Sequence, residues 1–187
     1  MRGTVYLIIG GTGSLGKTLV RRLLSKEMGT PEKIIVFSRD EAKQHFMRLE
    51  YAGKKVGTDD ICYRPANDLL EFQIGDARNY ASVAAAVRRA DVVVYAAALK
   101  QVPSCEYAPH EAVLTNILGA QNVIRAVSEQ PNHVKTVVGV STDKACKPVN
   151  VMGMTKAIQE RLFTAANLHS EIPHLSVRYG NVMASRG

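Results

Sequence analysis

The stretch VYLIIGGTGSLGKTLVRRLL, Val5 to Leu24, constrains the fold more than any other part of the chain. An unbroken apolar run leads into a glycine turn, and the turn opens directly into an amphipathic pattern of helical period. Gly10, Gly13 and Gly16 have one glycine spacing, and Gly11, Gly13 and Gly16 also satisfy G-x-G-x-x-G. Both spacings serve the same physics: a tight turn, a close backbone approach to an anion, and helix amides aimed at it. The bland alternative is a tight turn with close helix packing. In the first βα turn of a strand–helix unit, the motif reads as a pyrophosphate cradle. Gly10, Thr12, Gly13, Ser14, Leu15 and Gly16 are then the expected contacts with a dinucleotide.

The rest of the chain repeats the strand–helix rhythm. Short aliphatic runs at Val5–Ile9, Ile34–Phe37, Leu70–Ile74, Val92–Ala96, Val137–Val140 and Leu175–Val177 read as strands. Helical spacing covers Leu15–Leu24, Glu41–Tyr51, Tyr80–Arg88, Glu111–Ser128 and Thr155–Asn167. Strands that are apolar throughout, rather than at every second residue, are buried on both faces. The pattern therefore predicts an α/β fold: a Rossmann-type doubly wound parallel sheet with helices on both faces, spanning 1–187 as one dinucleotide-binding domain. One polar segment, Ala52 to Asp68, breaks the rhythm and reads as a surface excursion or an interface element.

Composition narrows the function classes. The net charge of +7 comes from scattered basic pairs such as Arg21–Arg22, Lys54–Lys55 and Arg88–Arg89, with only 6% aromatic residues. A nucleic-acid surface needs its bases gathered on one face, so no nucleic-acid partner is expected, and a polyanionic small ligand accounts for the excess. No apolar run is long enough to cross a bilayer, and the N-terminus runs straight into a strand, which reads against a signal peptide. Cys62, Cys105 and Cys146 are odd in number and scattered, as in a cytoplasmic protein with reduced thiols. The histidines lack ligand spacing, so no metal is expected.

Residues after the second strand bear on the choice of dinucleotide. Ser38 and Arg39 follow the strand and Lys43 comes one helical turn later, groups suited to a 2′-phosphate; this favours NADP, while Asp40 leaves NAD open. Asp76, beside Ala77 at the end of the third strand, could accept from an adenine amino group or cap the next helix. The small residues Ala96, Ala97 and Ala98 after the fourth strand let backbone approach the dinucleotide.

Three blocks go further: AAALKQVPSCEYAPHEAVLTNILGAQNVI, STDKACKPVNVMGMTK and RYGNVMASRG. Together they resemble the UDP-N-acetylglucosamine 4,6-dehydratase family of bacterial polysaccharide and flagellin-glycan biosynthesis, which are extended short-chain dehydrogenase/reductases. The resemblance runs from the glycine loop to Gly187. It implies oxidation of sugar C4, elimination of water across C5 and C6, and return of hydride to C6, with no net redox change. C5 inversion and 4-epimerisation remain related alternatives, as does a non-catalytic NADP-binding protein.

In the resemblance, Asp143 protonates the leaving C6 oxygen and Lys144 takes the C5 proton. That predicts a raised pKa for the acid and a lowered one for the base. Thr142 sits with them at the strand end. Lys156 would bond the nicotinamide ribose and hold positive charge near the reacting oxygen. Met152 stands where short-chain dehydrogenases usually carry a tyrosine, and its i, i+4 spacing puts it on one helix face with Lys156. A thioether cannot ionise, so deprotonation of the C4 hydroxyl falls to Asp143, Lys144 or a water ordered by Thr142. Lys100 and Asn181 are expected at the substrate, Asn116 as a structural hydrogen-bonder, and Arg178 as a buried anchor or anion partner. The resemblance also implies a homo-oligomer and a further substrate-binding part beyond Gly187. On that expectation these 187 residues bind NADP but turn over weakly alone.

Overall fold

A computed structural model describes residues 3–52, 68–129 and 133–180. Most of the Ala52–Asp68 segment, with Cys62, and Asn181 lie outside the described residues.

The element order is β1 (Thr4–Ile9), α1 (Ser14–Leu24), β2 (Pro31–Ser38), α2 (Glu41–Ala52), β3 (Leu70–Ile74), α3 (Tyr80–Val87), β4 (Val92–Tyr95), α4 (Val102–Tyr107), α5 (Pro109–Ala112), a π-helical segment (Val113–Leu118), α6 (Gly119–Glu129), β5 (Thr136–Thr142), a 3-10 turn (Asp143–Ala145), α7 (Val151–Ala166) and β6 (His174–Tyr179). The strands form one six-stranded sheet in the order β3-β2-β1-β4-β5-β6, parallel throughout. The sheet is the doubly wound parallel one the sequence predicts, and the structure adds its order, which reverses between β1 and β4.

Alternation along the central strands explains why both faces are covered. Leu7 and Ile9 of β1, with Ile35 and Phe37 of β2, point into a core shared with α3, α6 and Phe163 of α7. Ile8, Ile34 and Val36 point the other way, against Val20 and Leu23 of α1 and Met47 of α2. A third, smaller cluster joins Cys105, Ala112 and Met152, with Leu99, Val102 and Val151 packed on it.

Three local features differ from the sequence expectation. The helix α4 has no counterpart in it; it is short, with Pro103 in its first turn, where a missing N–H costs nothing. The helix α7 begins at Val151, a turn earlier than expected, because the Asn150 side chain accepts from the Gly153 amide at 2.8 Å and caps it. The helix expected over Glu111–Ser128 contains the π-helical segment, and Asn116 within it is fully buried.

Candidate functional site

The turn after β1 is built by backbone constraint. Gly10 has φ +85°, and a β-carbon there would stand 2.5 Å from the Ala97 amide nitrogen, so the loop lies directly against the end of β4. A β-carbon on Gly16 would overlap the Gly11 backbone, which fixes the helix close to the turn. Gly13 caps α1 without a side-chain hydrogen bond. The first-turn amides of α1 are thus left facing outward, as an anion requires.

A crevice of about 850 Å³ opens at the carboxyl ends of the strands, above the β1/β4 reversal. It gathers the glycine loop, Ser38, Arg39, Lys43, Asp76, Ala77, the Ala96–Ala98 run, Lys100, Thr142, Lys144, Met152 and Lys156. Of the candidates named from the sequence, Asp143, Asn116 and Arg178 stand outside the lining, and Asn181 is not among the described residues.

At the second-strand end, the Ser38 and Thr12 hydroxyls lie 2.9 Å apart, both buried, and Ser38 Oγ accepts from the Asp40 amide. Ser38 therefore braces the glycine loop against β2. Lys43 Nζ pairs with Asp40 at 2.5 Å, and the same carboxylate accepts from the Lys43 amide. These hydrogen bonds hold the Asp40 carboxyl below its ordinary range. Arg39, more than half exposed, lies 3.8 Å from Asp76. Asp76 does not cap α3, since Asn79 does so by accepting from Ser82. Its carboxylate instead accepts from the Arg78 backbone and guanidinium.

Across the crevice, Thr142 caps the 3-10 turn, accepting from the Lys144 amide at 3.3 Å and donating to Asp143 Oδ1 at 2.9 Å. Lys144 Nζ stands 3.4 Å from the same oxygen. The expected rise in the Asp143 pKa does not occur. The Thr142 hydroxyl, and after it Lys144, hold that carboxyl below its usual range, and its side chain is 54% exposed. An exposed acid beside a hydroxyl donor and an ammonium has no low-dielectric surroundings to keep it protonated.

Met152 is buried in the small cluster with Cys105 and Ala112, and so forms an apolar stretch of the crevice wall. Lys156 is 5% exposed, and its Nζ donates to the Val140 carbonyl at 2.6 Å and to Gln159 Oε1 at 2.5 Å. Burial pushes its pKa down to about 7, with Glu160 acting in the opposite sense. A permanently charged lysine is therefore not what the fold provides.

Asn116 is a structural hub, as expected. It accepts from the Leu99 amide and donates to the Leu99 carbonyl and to Thr155 Oγ1, each at 2.9 Å, tying the crevice floor to α7. Arg178 is not buried: its side chain is 48% exposed and forks onto Glu160 at 2.8 and 2.6 Å. Glu160 also accepts from Ser141 at 2.5 Å. Sequence reading missed Gln159, Glu160 and Ser141. The signal for Gln159 and Glu160 was their place three and four residues beyond Lys156 on the same helix.

These residues fit a dinucleotide. The positive-φ glycine against β4, the open helix terminus and the small Ala96–Ala98 run leave room for a dinucleotide, and Lys156 lines the same crevice.

The comparisons agree with this geometry. A UDP-glucose 4-epimerase of Rickettsia bellii is 45% identical over 185 residues, covering 97% of this chain and 50% of the relative. The structure of Pen from Bacillus thuringiensis superposes with a TM-score of 0.85 at 41% identity, covering all of this chain and 54% of Pen. The dTDP-glucose 4,6-dehydratase DesIV of Streptomyces venezuelae, solved with NAD bound, shares the fold at a TM-score of 0.74 and 22% identity, covering 93% of this chain and 55% of DesIV. The chain thus spans about half the length of the curated relatives it matches. The family described as polysaccharide biosynthesis protein matches residues 6–187, and the chain belongs to that family.

Proposed function

We propose that this domain binds NADP and forms part of a 4,6-dehydratase acting on UDP-N-acetylglucosamine in surface-polysaccharide or glycan synthesis. The observation that carries the reading is the Thr142–Asp143–Lys144 turn at the end of β5, beside the crevice that holds Met152 and Lys156. Oxidation and re-reduction at C4 require a base for one hydroxyl and nothing more. A carboxyl and an amine 3.4 Å apart are what elimination across C5 and C6 requires in addition.

The dinucleotide, when bound, supplies the hydride acceptor that turns C4 into a ketone and acidifies the C5 proton. The chain's own residues do the rest. The glycine loop and α1 terminus would hold the pyrophosphate. Arg39, more than half exposed at the crevice, would meet a 2′-phosphate, which supports NADP over NAD. Lys144 accepts the C5 proton, and Asp143 donates to the C6 oxygen once bound substrate shields it from water and raises its pKa.

A second reading, nucleotide-sugar 4-epimerisation, is favoured by the ionised Asp143 and by the name carried by the curated relatives. Asp143→Asn in the full-length protein separates the two. Dehydration falls by about 100-fold or more when a general acid is lost, whereas interconversion of C4 epimers stays within a few-fold. Unchanged dehydration by the Asn variant overturns the role given to Asp143.

A further inference from the structure

We propose that Lys156, held by Gln159 and the Val140 carbonyl at the crevice floor, accepts the proton of the sugar hydroxyl being oxidised, in place of the tyrosine that Met152 replaces. The inference rests on C4 oxidation, which the dehydratase and epimerase readings share. It differs from the expectation that a neighbouring residue or an ordered water does this work.

The geometry argues for it first. Met152 offers neither proton nor charge, and the next residue on the same helix face that lines the crevice is Lys156. Its amine is fixed by two acceptors, Val140 O at 2.6 Å and Gln159 Oε1 at 2.5 Å. Gln159 is fully buried, and its amide nitrogen donates to the same Val140 carbonyl at 3.2 Å. This triangle leaves the glutamine oxygen as the atom facing the lysine. A neutral amine has two N–H bonds and one lone pair; both N–H bonds are used within the triangle, and the lone pair is left for a third partner. An ammonium has the same shape with a third N–H in that place. The site can therefore take up a proton without rearranging.

The electrostatics agree. Burial lowers the Lys156 pKa to about 7, and Glu160 is the charge that opposes this. Glu160 is itself engaged by Arg178 and Ser141, and its own carboxyl is held low chiefly by Arg178. The other titratable groups on elements packed against α7 are Asp143 and Lys144 on the 3-10 turn, His174, Arg178 and Tyr179 on β6, Cys105, Glu106 and Tyr107 on α4, His110 and Glu111 on α5, and Arg125 and Glu129 on α6. Glu160 is the charged neighbour that moves Lys156.

The step balances. The C4–H bond breaks with its electron pair passing to a nicotinamide dinucleotide, the O–H proton passes to the Lys156 lone pair, and a ketone and an ammonium result. The proton returns to O4 if the ketone is reduced again, or leaves to solvent when a keto product departs.

The test uses the full-length protein with ¹³C-labelled lysine. The Lys156 side-chain resonance, assigned by its loss in Lys156→Arg, is titrated by NMR, and the pH profile of single-turnover sugar oxidation is followed by reduced-nicotinamide absorbance. The proposal expects a midpoint near 7. Gln159→Glu moves that midpoint up and Glu160→Gln moves it down, and the acid limb of the oxidation profile follows in both directions. Lys156→Arg keeps a positive charge but cannot give up a proton, so oxidation at saturating dinucleotide falls by about 100-fold or more, with dinucleotide affinity measured separately on the same variant. A midpoint above about 10, the ordinary lysine value, overturns the proposal. So does a limb that stays fixed while the midpoint moves, or an Arg variant within a few-fold of the unsubstituted protein. If the unsubstituted protein oxidises no nucleotide sugar, the reading under Proposed function fails separately. The midpoint and its response to Gln159→Glu and Glu160→Gln then decide whether Lys156 is a titrating group.

Discussion

The carbonyl oxygen of Lys144 lies against the α-carbon of Gly153, with no room for a β-carbon between them. This contact sets the 3-10 turn that carries Asp143 and Lys144 against the helix that carries Met152 and Lys156. The Asp143–Lys144 turn and the helix that carries Lys156 are therefore positioned by one glycine.

Gly153→Ala is expected to push the turn away from α7. Helix propensity favours alanine by roughly 0.5–1 kcal/mol, but overpacking against backbone costs about 1–3 kcal/mol, so the net effect is a loss of stability. Chemical denaturation measures that loss. Sugar turnover should fall further than dinucleotide affinity, because the glycine loop lies at the other side of the crevice; equal losses in both would contradict the positioning role.

Arg39 is expected to carry the choice of dinucleotide. Lys43 pairs with Asp40 at 2.5 Å and Ser38 with Thr12, whereas Arg39, more than half exposed at the crevice, holds Asp76 only at 3.8 Å and can turn to a 2′-phosphate. Arg39→Ala should weaken NADP binding by about 10–100-fold, the worth of one charge-assisted contact, and leave NAD binding nearly unchanged. Calorimetric titration with both dinucleotides checks this. Equal effects on the two would show that Arg39 does not read the phosphate.

Lys156 is expected to make stability depend on pH. Its folded pKa, about 7, lies below the unfolded value of a lysine. Between about 7 and 10.4 the unfolded chain binds the extra proton, so stability rises with pH across that window by about 1.4 kcal/mol per pH unit. Lys156→Met, similar in length, removes the effect. The stability of the unsubstituted protein relative to the Met variant should rise from pH 7 to pH 10, and a constant difference would place the lysine pKa at its ordinary value.

Much of this was legible in the sequence, for identifiable reasons. The strands were readable because β1, β2 and β4 are apolar on both faces, and a doubly wound sheet is the arrangement that buries both. The glycine loop was readable because few backbones other than a tight turn against a strand need Gly10 and Gly16. The helix α4 was not, since six residues interrupted by Pro103 carry no periodic signal, and its place depends on tertiary contacts such as Glu106 accepting from the Val151 amide at 2.8 Å. Protonation states were not legible either. Asp143 was expected to have a raised pKa, yet the Thr142 hydroxyl and Lys144 lower it and its exposure leaves little burial to oppose them, while the deeply buried group proved to be Lys156. Sequence places a residue at a strand end but does not say how much water reaches it.

The most direct test of the central claim is to incubate the full-length protein with UDP-N-acetylglucosamine and a catalytic amount of NADP in deuterated water, and to follow the sugar nucleotide by mass spectrometry. The account predicts a product lighter by one water, carrying deuterium at C5, with the dinucleotide unconsumed. Substrate that keeps its water, whether intact or converted only to its C4 epimer, would contradict it.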